Sequence, residues 1–258
     1  ISRTSGFIYL ERIKINGKEL VDNDITINTP SIAPTGCSVG TKQGFSIVKW
    51  QGDGSDANRT VPHGLLEAPS FVIVKPLTEA RHWLIWHKGY NDDDAAMLFD
   101  TGIPAGSRFG PNAPTSSVFG VYGGQGNRGT TDFIGYCWHD VPGLQKFGTY
   151  TGNGNANGPF VELGFRPALV LRKCTSTGAT GYDWVMIDSA RNTYNIANSK
   201  LYPNGSGQEN VNSDNSDSGD NSSIDILSNG FKVRAANGRM NGSGQTYIYA
   251  AWAEAPSI

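Results

Sequence analysis

The sequence is poor in charge, in cysteine and in histidine, and it has no long apolar run. Of its 258 residues only 17 % are charged, and the formal net charge is −2; an average soluble domain carries roughly 25 % charged residues. Such a balance indicates no basic face for nucleic acid or for an anionic membrane surface. The longest apolar runs are short, such as Phe71-Val72-Ile73-Val74. A membrane-spanning helix needs roughly 20 apolar residues, so no membrane insertion is expected. The three cysteines, Cys37, Cys137 and Cys174, are an odd number without Cys-x-x-Cys spacing. They read as isolated thiols, neither a zinc site nor a disulfide framework. There is no His-Glu-x-x-His and no Walker loop, and no cofactor is expected. No leader pattern opens the chain, which begins at Ile1 and is expected to belong to a longer polypeptide.

What the sequence has instead is glycine, 33 residues of it, roughly twice average usage. Asn, Ser and Thr are also abundant. Short β-branched and aromatic runs alternate with turn residues: Phe45 to Trp50, Phe71 to Lys75, Trp83 to His87, Val118 to Tyr122 and Phe133 to Trp138. No segment keeps a helical period over 11 residues or more; Asp92 to Phe99 could form two turns at most.

The chain also repeats itself. Lys49-Trp50-Gln51-Gly52-Asp53-Gly54 answers to Thr149-Tyr150-Thr151-Gly152-Asn153-Gly154, and His63-Gly64-Leu65 to Leu163-Gly164-Phe165. Pro69 to Lys75 answers to Pro167 to Lys173, and Trp83-Leu84-Ile85-Trp86 to Trp184-Val185-Met186-Ile187. Phe119-Gly120-Val121 answers to Phe231-Lys232-Val233, and Trp138 to Trp252. The order is constant and the unit is about 100 residues long, a domain-sized duplication. The expected fold is all-β: two tandem β-sandwich units in a pseudo-twofold relationship, preceded by a β segment and linker. Residues 1–43 hold an N-terminal strand pair and linker, with a hairpin signal at Asn16-Gly17 and a linker over Asn28 to Gly40. Residues 44–143 are the first repeat and 144–258 the second, which is lengthened by a polar surface insertion from Asn204 to Ser223.

Candidate chemistry is sparse. All four histidines, His63, His82, His87 and His139, lie in the first copy. His82 and His87 flank one strand and fall on opposite faces, so they cannot share a metal ion. Tryptophans matched across the copies, Trp83 with Trp184 and Trp138 with Trp252, read as core. Trp86 and Tyr122 have no aromatic counterpart and are the better candidates for an exposed platform on which sugar rings stack. Asp214, Asp217 and Asp220 resemble the start of a calcium loop, although Asp225 stands where a bidentate Glu is usual. Asp92 and Asp93 belong to a second acidic cluster. Gly36-Cys37-Ser38-Val39-Gly40 spells a nucleophile-elbow pattern but lacks its strand-to-helix setting, and a loop is expected there. Gly124 to Gly129 spells G-x-G-x-x-G without opening a helix, so a hairpin turn is expected.

The ordered strings carry a resemblance. His63-Gly64-Leu65 with Ala68 to Lys75, then Trp86-His87-Lys88-Gly89, Lys146 to Gly154, Gly164 to Ala168, Leu227 to Lys232 and Tyr247 to Glu254, resemble a domain in tail-fibre and virion appendage proteins of marine bacteriophages. The resemblance covers about residues 44–256. In such proteins the unit often follows a laminin-G-like sandwich, and Phe7 to Leu20 resembles the last strands of one. The resemblance implies an extracellular virion protein for host attachment, self-associating as a homotrimer beside other tail proteins. Low charge, aromatic strands and long polar loops suit a non-enzymatic module that binds a host surface polysaccharide. The loops expected to bind are Asp92 to Met97, Pro104 to Thr115 and Asn204 to Ser223, together with Trp86, His87, Tyr122 and His139. A structural fibre segment without ligand is the alternative; a depolymerase, which would need a convergent carboxylate pair, ranks below both.

Overall fold

The computed structural model describes residues 2–4, 7–9, 14–15, 18–19, 30–90, 97–99, 108–176, 182–211 and 223–254. In the N-terminal part, β1 (Ser2–Thr4) pairs with β2 (Phe7–Tyr9) and β3 (Lys14–Ile15) with β4 (Lys18–Glu19), the second pair flanking Asn16-Gly17.

The first unit comprises β5 (Gly36–Gly40), β6 (Phe45–Gln51), β7 (Arg59–Pro62), β8 (Phe71–Pro76), β9 (Leu84–His87), β10 (Met97–Leu98), β11 (Val118–Val121), the one-turn helix α1 (Gly123–Gly126) and β12 (Asp132–Trp138). The second comprises β13 (Gln145–Thr151), β14 (Phe160–Glu162), β15 (Pro167–Cys174), β16 (Val185–Asp188), β17 (Ser199–Lys200), β18 (Asn210–Val211), β19 (Ile224–Leu227), β20 (Gly230–Val233), α2 (Gly238–Asn241) and β21 (Thr246–Ala253). All named strand pairs are antiparallel.

The large sheet of the first unit runs β10-β9-β8-β12-β6-β5, and that of the second β13-β21-β15-β16. Strands matched by the sequence repeat pair in the same order in both: β6-β12-β8-β9 against β13-β21-β15-β16. A smaller sheet covers the outer face of each, β11-β7 in the first unit and β14-β20-β19 in the second. The architecture is all-β, with four layers.

Period-two alternation explains the layering. Val72 and Val74 of β8, with Phe133 and Cys137 of β12, point into the first core beside Trp50 and Phe119. Tyr247, Tyr249 and Ala251 of β21 do the same in the second core beside Phe231. The opposite faces of the two large sheets meet in a third core, where Phe71 and Ile85 lie against Phe147, Trp184 and Ile248. The central strands are therefore apolar on both faces, the pattern of a doubly covered sheet. Polar bonds cross this junction as well. His87 Nε2 lies 3.0 Å from the Tyr249 carbonyl, and Trp184 Nε1 donates to the Leu98 carbonyl at 2.8 Å.

Three local expectations need correction. The stretch read as linker ends in β5, an edge strand paired to β6, and Ile32 is buried in the first core. Ser38 thus lies in a strand, not in a loop. Of the possible helix at Asp92 to Phe99, residues 91–96 lie outside the described residues, and Met97 and Leu98 form a strand on β9. The Gly124 to Gly129 string holds one helical turn, α1, where a hairpin was expected.

Candidate functional site

The outer face of the first unit carries an open pocket of about 310 Å³, at the lower end of the range for small-ligand sites. Its floor is the outward side of the β11-β7 ribbon. Phe119, Val121 and Val61 face the core, which turns Val118, Gly120 and Thr60 outward. Asn58 and Arg59 form one wall, and the segment from Gly110 to Thr115 forms the other. This segment belongs to the loop from Pro104 to Thr115 expected to bind; residues 101–107 lie outside the described residues.

Glycine lets one wall cross close to the floor. A Cβ at Gly120 would stand 2.5 Å from the Gly110 nitrogen and 2.6 Å from its Cα, closer than van der Waals packing allows. The two bare backbones therefore pass where side chains would fill the space.

Both walls are pinned from behind. Arg59 Nε donates to Asp53 Oδ2 at 2.7 Å. Asp53 Oδ1 accepts from Asn127 Nδ2 at 2.6 Å and from the Ser55 amide at 2.9 Å. Burial pulls the Asp53 carboxyl upward, but the bonds from Ser55 and Asn127 and the Arg59 guanidinium outweigh it and hold the group below its usual range. Asn127 is fully buried at the end of α1. On the opposite wall, His63 Nε2 lies 3.0 Å from the Thr115 carbonyl, while His63 Nδ1 accepts from the Leu65 amide at 3.1 Å. A carbonyl only accepts, so the ring is the neutral Nε2–H tautomer. Burial first, and the neighbouring His139 in lesser degree, push its pKa down against the raising effect of the Thr115 bond.

The residues expected at the site fare unevenly. Trp86 is only 4 % exposed and His87 1 %, so neither offers a platform. The reason is topological: β9 has the first core on one side and the junction between the sheets on the other. His87 is spent on that junction, its Nδ1 accepting from the Gly89 amide at 2.9 Å. Burial drives its pKa down to about 4. His139 is also buried; its Nδ1 donates to the Asp140 carbonyl at 2.7 Å, in the turn that joins the units. Tyr122 is half-buried and precedes α1, its amide bonded to the Arg108 carbonyl at 2.9 Å. Asp92, Asp93, Asp214, Asp217 and Asp220 lie outside the described residues. Among the described residues no group of three or more His, Cys, Asp or Glu could hold a metal ion.

Trp83, expected in the core, is 38 % exposed. It heads a row of rings, with Tyr136 at 6.5 Å and Trp138 a further 6.2 Å along, and Lys75 Nζ lies 5.7 Å from its centroid.

Sequence reading missed Asp53, Arg59, Asn127 and Gly120 as site residues. The signal was in the repeat, where each unit has its own version of one loop. Asn241 Nδ2 donates to Asn153 Oδ1 at 2.8 Å and to the Asn155 carbonyl at 2.7 Å, as Asn127 does to Asp53 and Ser55.

The model of a family described as a domain of unknown function, DUF7483, matches residues 22–256. No curated protein and no solved structure matches the chain.

Proposed function

The chain belongs to the DUF7483 family, and we propose that it serves as an attachment module of a bacteriophage tail fibre or virion appendage, holding a host surface polysaccharide in the pocket on its first unit. The observation that carries this reading is the contrast between the two outer faces. At the place of Gly120 the second unit has Lys232, whose Nζ reaches the Gly158 carbonyl at 2.8 Å, and at the place of Thr60 it has Phe160. One scaffold thus presents an open polar pocket on one side and large side chains on the other. A difference confined to the outer faces, over a shared pairing scheme, supports ligand binding on the open one.

The chemistry of the walls suits a sugar. Asn58 and Asn112 are exposed amides, which donate and accept toward hydroxyl groups. Pro111 and Ala113, both exposed, supply apolar surface for a ring face. Among the described residues the lining contains no carboxylate, histidine or cysteine. Glycoside hydrolysis in most families uses two carboxyl groups flanking the bond, so binding without turnover is the reading it favours. A single shallow pocket binds weakly, and a trimeric fibre would multiply it: avidity exceeds single-site affinity by roughly 10² or more when several sites engage together.

The test is binding of the full chain to host cells and to their extracted surface polysaccharide, with release of reducing ends read in the same samples. Saturable binding that Asn112→Ala weakens, without release, is expected. Release would make the protein a depolymerase. A folded oligomer that binds neither cells nor polysaccharide would leave the structural fibre segment as the function.

A further inference from the structure

We propose that His63 is an acid-released latch on the pocket: its neutral ring holds the wall from Gly110 to Thr115 in place and lets it go on taking a second proton. The latch stands whatever the pocket holds; its consequence for binding rests on the reading that the pocket holds a glycan. The wall is a strap fixed at its ends. At one end Phe109 is buried in the first core, and the Arg108 carbonyl accepts from the Tyr122 amide at 2.9 Å. At the other the Thr115 carbonyl lies 3.0 Å from His63 Nε2. The backbone tie beside it, from the His63 amide to the Ser117 carbonyl, is a long 3.3 Å. Between the ends Pro111, Asn112 and Ala113 are exposed.

The ring bridges two segments and can do so only when neutral. Nε2 carries the hydrogen and donates to Thr115, while Nδ1 is bare and accepts from the Leu65 amide at 3.1 Å. A second proton must go to Nδ1, where it would meet the N–H of Leu65, donor against donor. The ring is also fully buried, and a buried charge without its hydrogen-bond partners is costly. The imidazolium therefore cannot keep this seat. Packing decides which side yields. Leu65 is buried in the first core, which fixes the turn that carries the ring. The strap runs over an open pocket. As the ring swings toward water it loses Thr115, and the strap loses its tie.

The groups around the ring do not favour that proton. His139 opposes a second positive charge there. Cys37 of β5 lies close, its Sγ 3.7 Å from where a Cβ on Gly64 would stand. Glu67 Oε2 stands 3.7 Å from His139 Nδ1, and among the described residues no carboxylate pairs with His63. Release is therefore expected below pH 6.5, the ordinary value of a histidine. The second unit does without a titratable group at this place. Leu163 replaces His63 and is buried. Its amide and that of Gly164 both bond the Asn229 carbonyl, at 2.8 and 3.0 Å. There β19 lies paired beside β20, where the first unit has its strap beside β11. An apolar residue thus fills the position when a paired strand covers the ribbon; the histidine goes with the strap.

The experiment is hydrogen–deuterium exchange of the full chain, without ligand, at pH 7.5, 6.0 and 4.5, corrected for the chemical exchange rate at each pH. Below pH 6.5 the opened, protonated form gains about tenfold per pH unit. Protection of the Leu65, Thr115 and Val118 amides is therefore expected to fall about tenfold or more by pH 4.5, while that of β19 and β20 holds. His63→Gln, which can donate to Thr115 and accept from Leu65 but cannot titrate, should remove the response. His139→Gln should keep it, moved to higher pH. In the wild type, the titration of the His63 ring followed by NMR should track the loss of protection, a check that needs no variant. A response that survives His63→Gln, or a loss that spreads equally over the second unit, refutes the latch. Host polysaccharide is titrated at the same pH values and should bind more weakly at pH 4.5, less so in His63→Gln. If the strap opens and the polysaccharide binds at no pH, the glycan reading falls and the latch stands. If the strap opens and binding is unchanged, the strap does not hold the glycan, and the consequence for binding is refuted.

Discussion

The two units of this protein are built on one pairing scheme and differ in what surrounds it. In each, the four central strands follow the same order, a small ribbon covers the outside, and a one-turn helix ends in a fully buried asparagine that ties down the loop after the first strand. The aromatic heart is matched too: Trp50 stacks on Phe133 at 5.4 Å, and Tyr150 on Tyr247 at 4.8 Å. The differences gather at the edges. The first large sheet gains β5 and β10, and the second unit adds β19 to its outer ribbon. Side chains that the scaffold requires are thereby separated from those that it merely tolerates, and the pocket is built from the second kind.

The sharpest way to break this comparison is at one repeat position whose two occupants live differently. Trp184 is 1 % exposed. Phe99 of the other unit stands 5.2 Å from it, and its indole nitrogen bonds the Leu98 carbonyl. Trp184→Ala removes a large side chain from the core between the sheets and is expected to cost about 3–5 kcal/mol. Because that core joins both units, chemical denaturation should still show one transition at a lower midpoint. Two separate transitions would show that the units fold independently and that the junction is only an adhesion of finished domains.

The next effect concerns His87, which has no counterpart histidine in the second unit; Asp188 takes its place. In the folded protein it protonates only near pH 4, while in the unfolded chain its pKa is near 6.5. Between those values the unfolded state binds a proton that the folded state refuses, so stability is full above pH 6.5 and is lost as the pH falls toward 4. The shift is worth about 3 kcal/mol. His63, held below its ordinary range by burial, contributes with the same sign. Urea midpoints at pH 7.5 and 4.5 should differ less for His87→Gln than for the wild type. Equal differences would place the acid sensitivity elsewhere, in carboxylates such as Asp53 and Asp188 whose pKa values are lowered in the fold.

Much of the fold was legible because burial on alternate residues writes itself into a strand. Phe71 to Val74 is a continuous apolar run in which Phe71 and Val72, on opposite faces, are both buried, and Phe133 to Trp138 is a strand that buries Phe133, Gly135 and Cys137 on one face and half-buries Ile134, Tyr136 and Trp138 on the other. The same double burial misled the search for a site. Trp86 looked free because no aromatic matched it, yet its counterpart Ile187 is equally buried, so only the size of the side chain differs between the units. The β5 edge strand was read as linker because its glycines and the preceding prolines are turn residues. The pocket escaped because its makers, Gly120 and Gly110, act by having no side chain, and a missing side chain becomes visible only when the two backbones are seen to touch.

That touching predicts a smaller, local effect. Gly120→Ala would push its Cβ into the backbone of Gly110 and should cost about 1–3 kcal/mol, as overpacking does. By displacing the Gly110 wall it should also abolish the proposed glycan binding. Lys232→Ala at the equivalent position sits on a surface that tolerates change, within about 0.5 kcal/mol, and should leave binding intact. If both variants melt alike, the closeness of Gly110 to Gly120 is a feature that the loop relieves by moving, and the pocket is not fixed by it.

The smallest effect is expected at Trp83, the repeat partner of Trp184. Among the described residues its aromatic neighbours are Phe99 and Tyr136, both of its own unit. Among the described residues the second large sheet ends at β16, beyond which the Met186–Leu201 bridge continues the pairing. Trp184, in contrast, is capped by Leu98 and Phe99 next to β10. Trp83→Ala therefore loses an exposed ring and the cation–π contact with Lys75, worth about 0.5–1 kcal/mol, several-fold less than the same change at Trp184. A loss as large as that at Trp184 would mean that this face is covered by another subunit. In that case the effect should depend on protein concentration, because a subunit that shields Trp83 stabilises the fold by mass action. A monomeric sample that shows the small loss, and an oligomeric one that shows the large, would place a contact between subunits on the open end of the aromatic row.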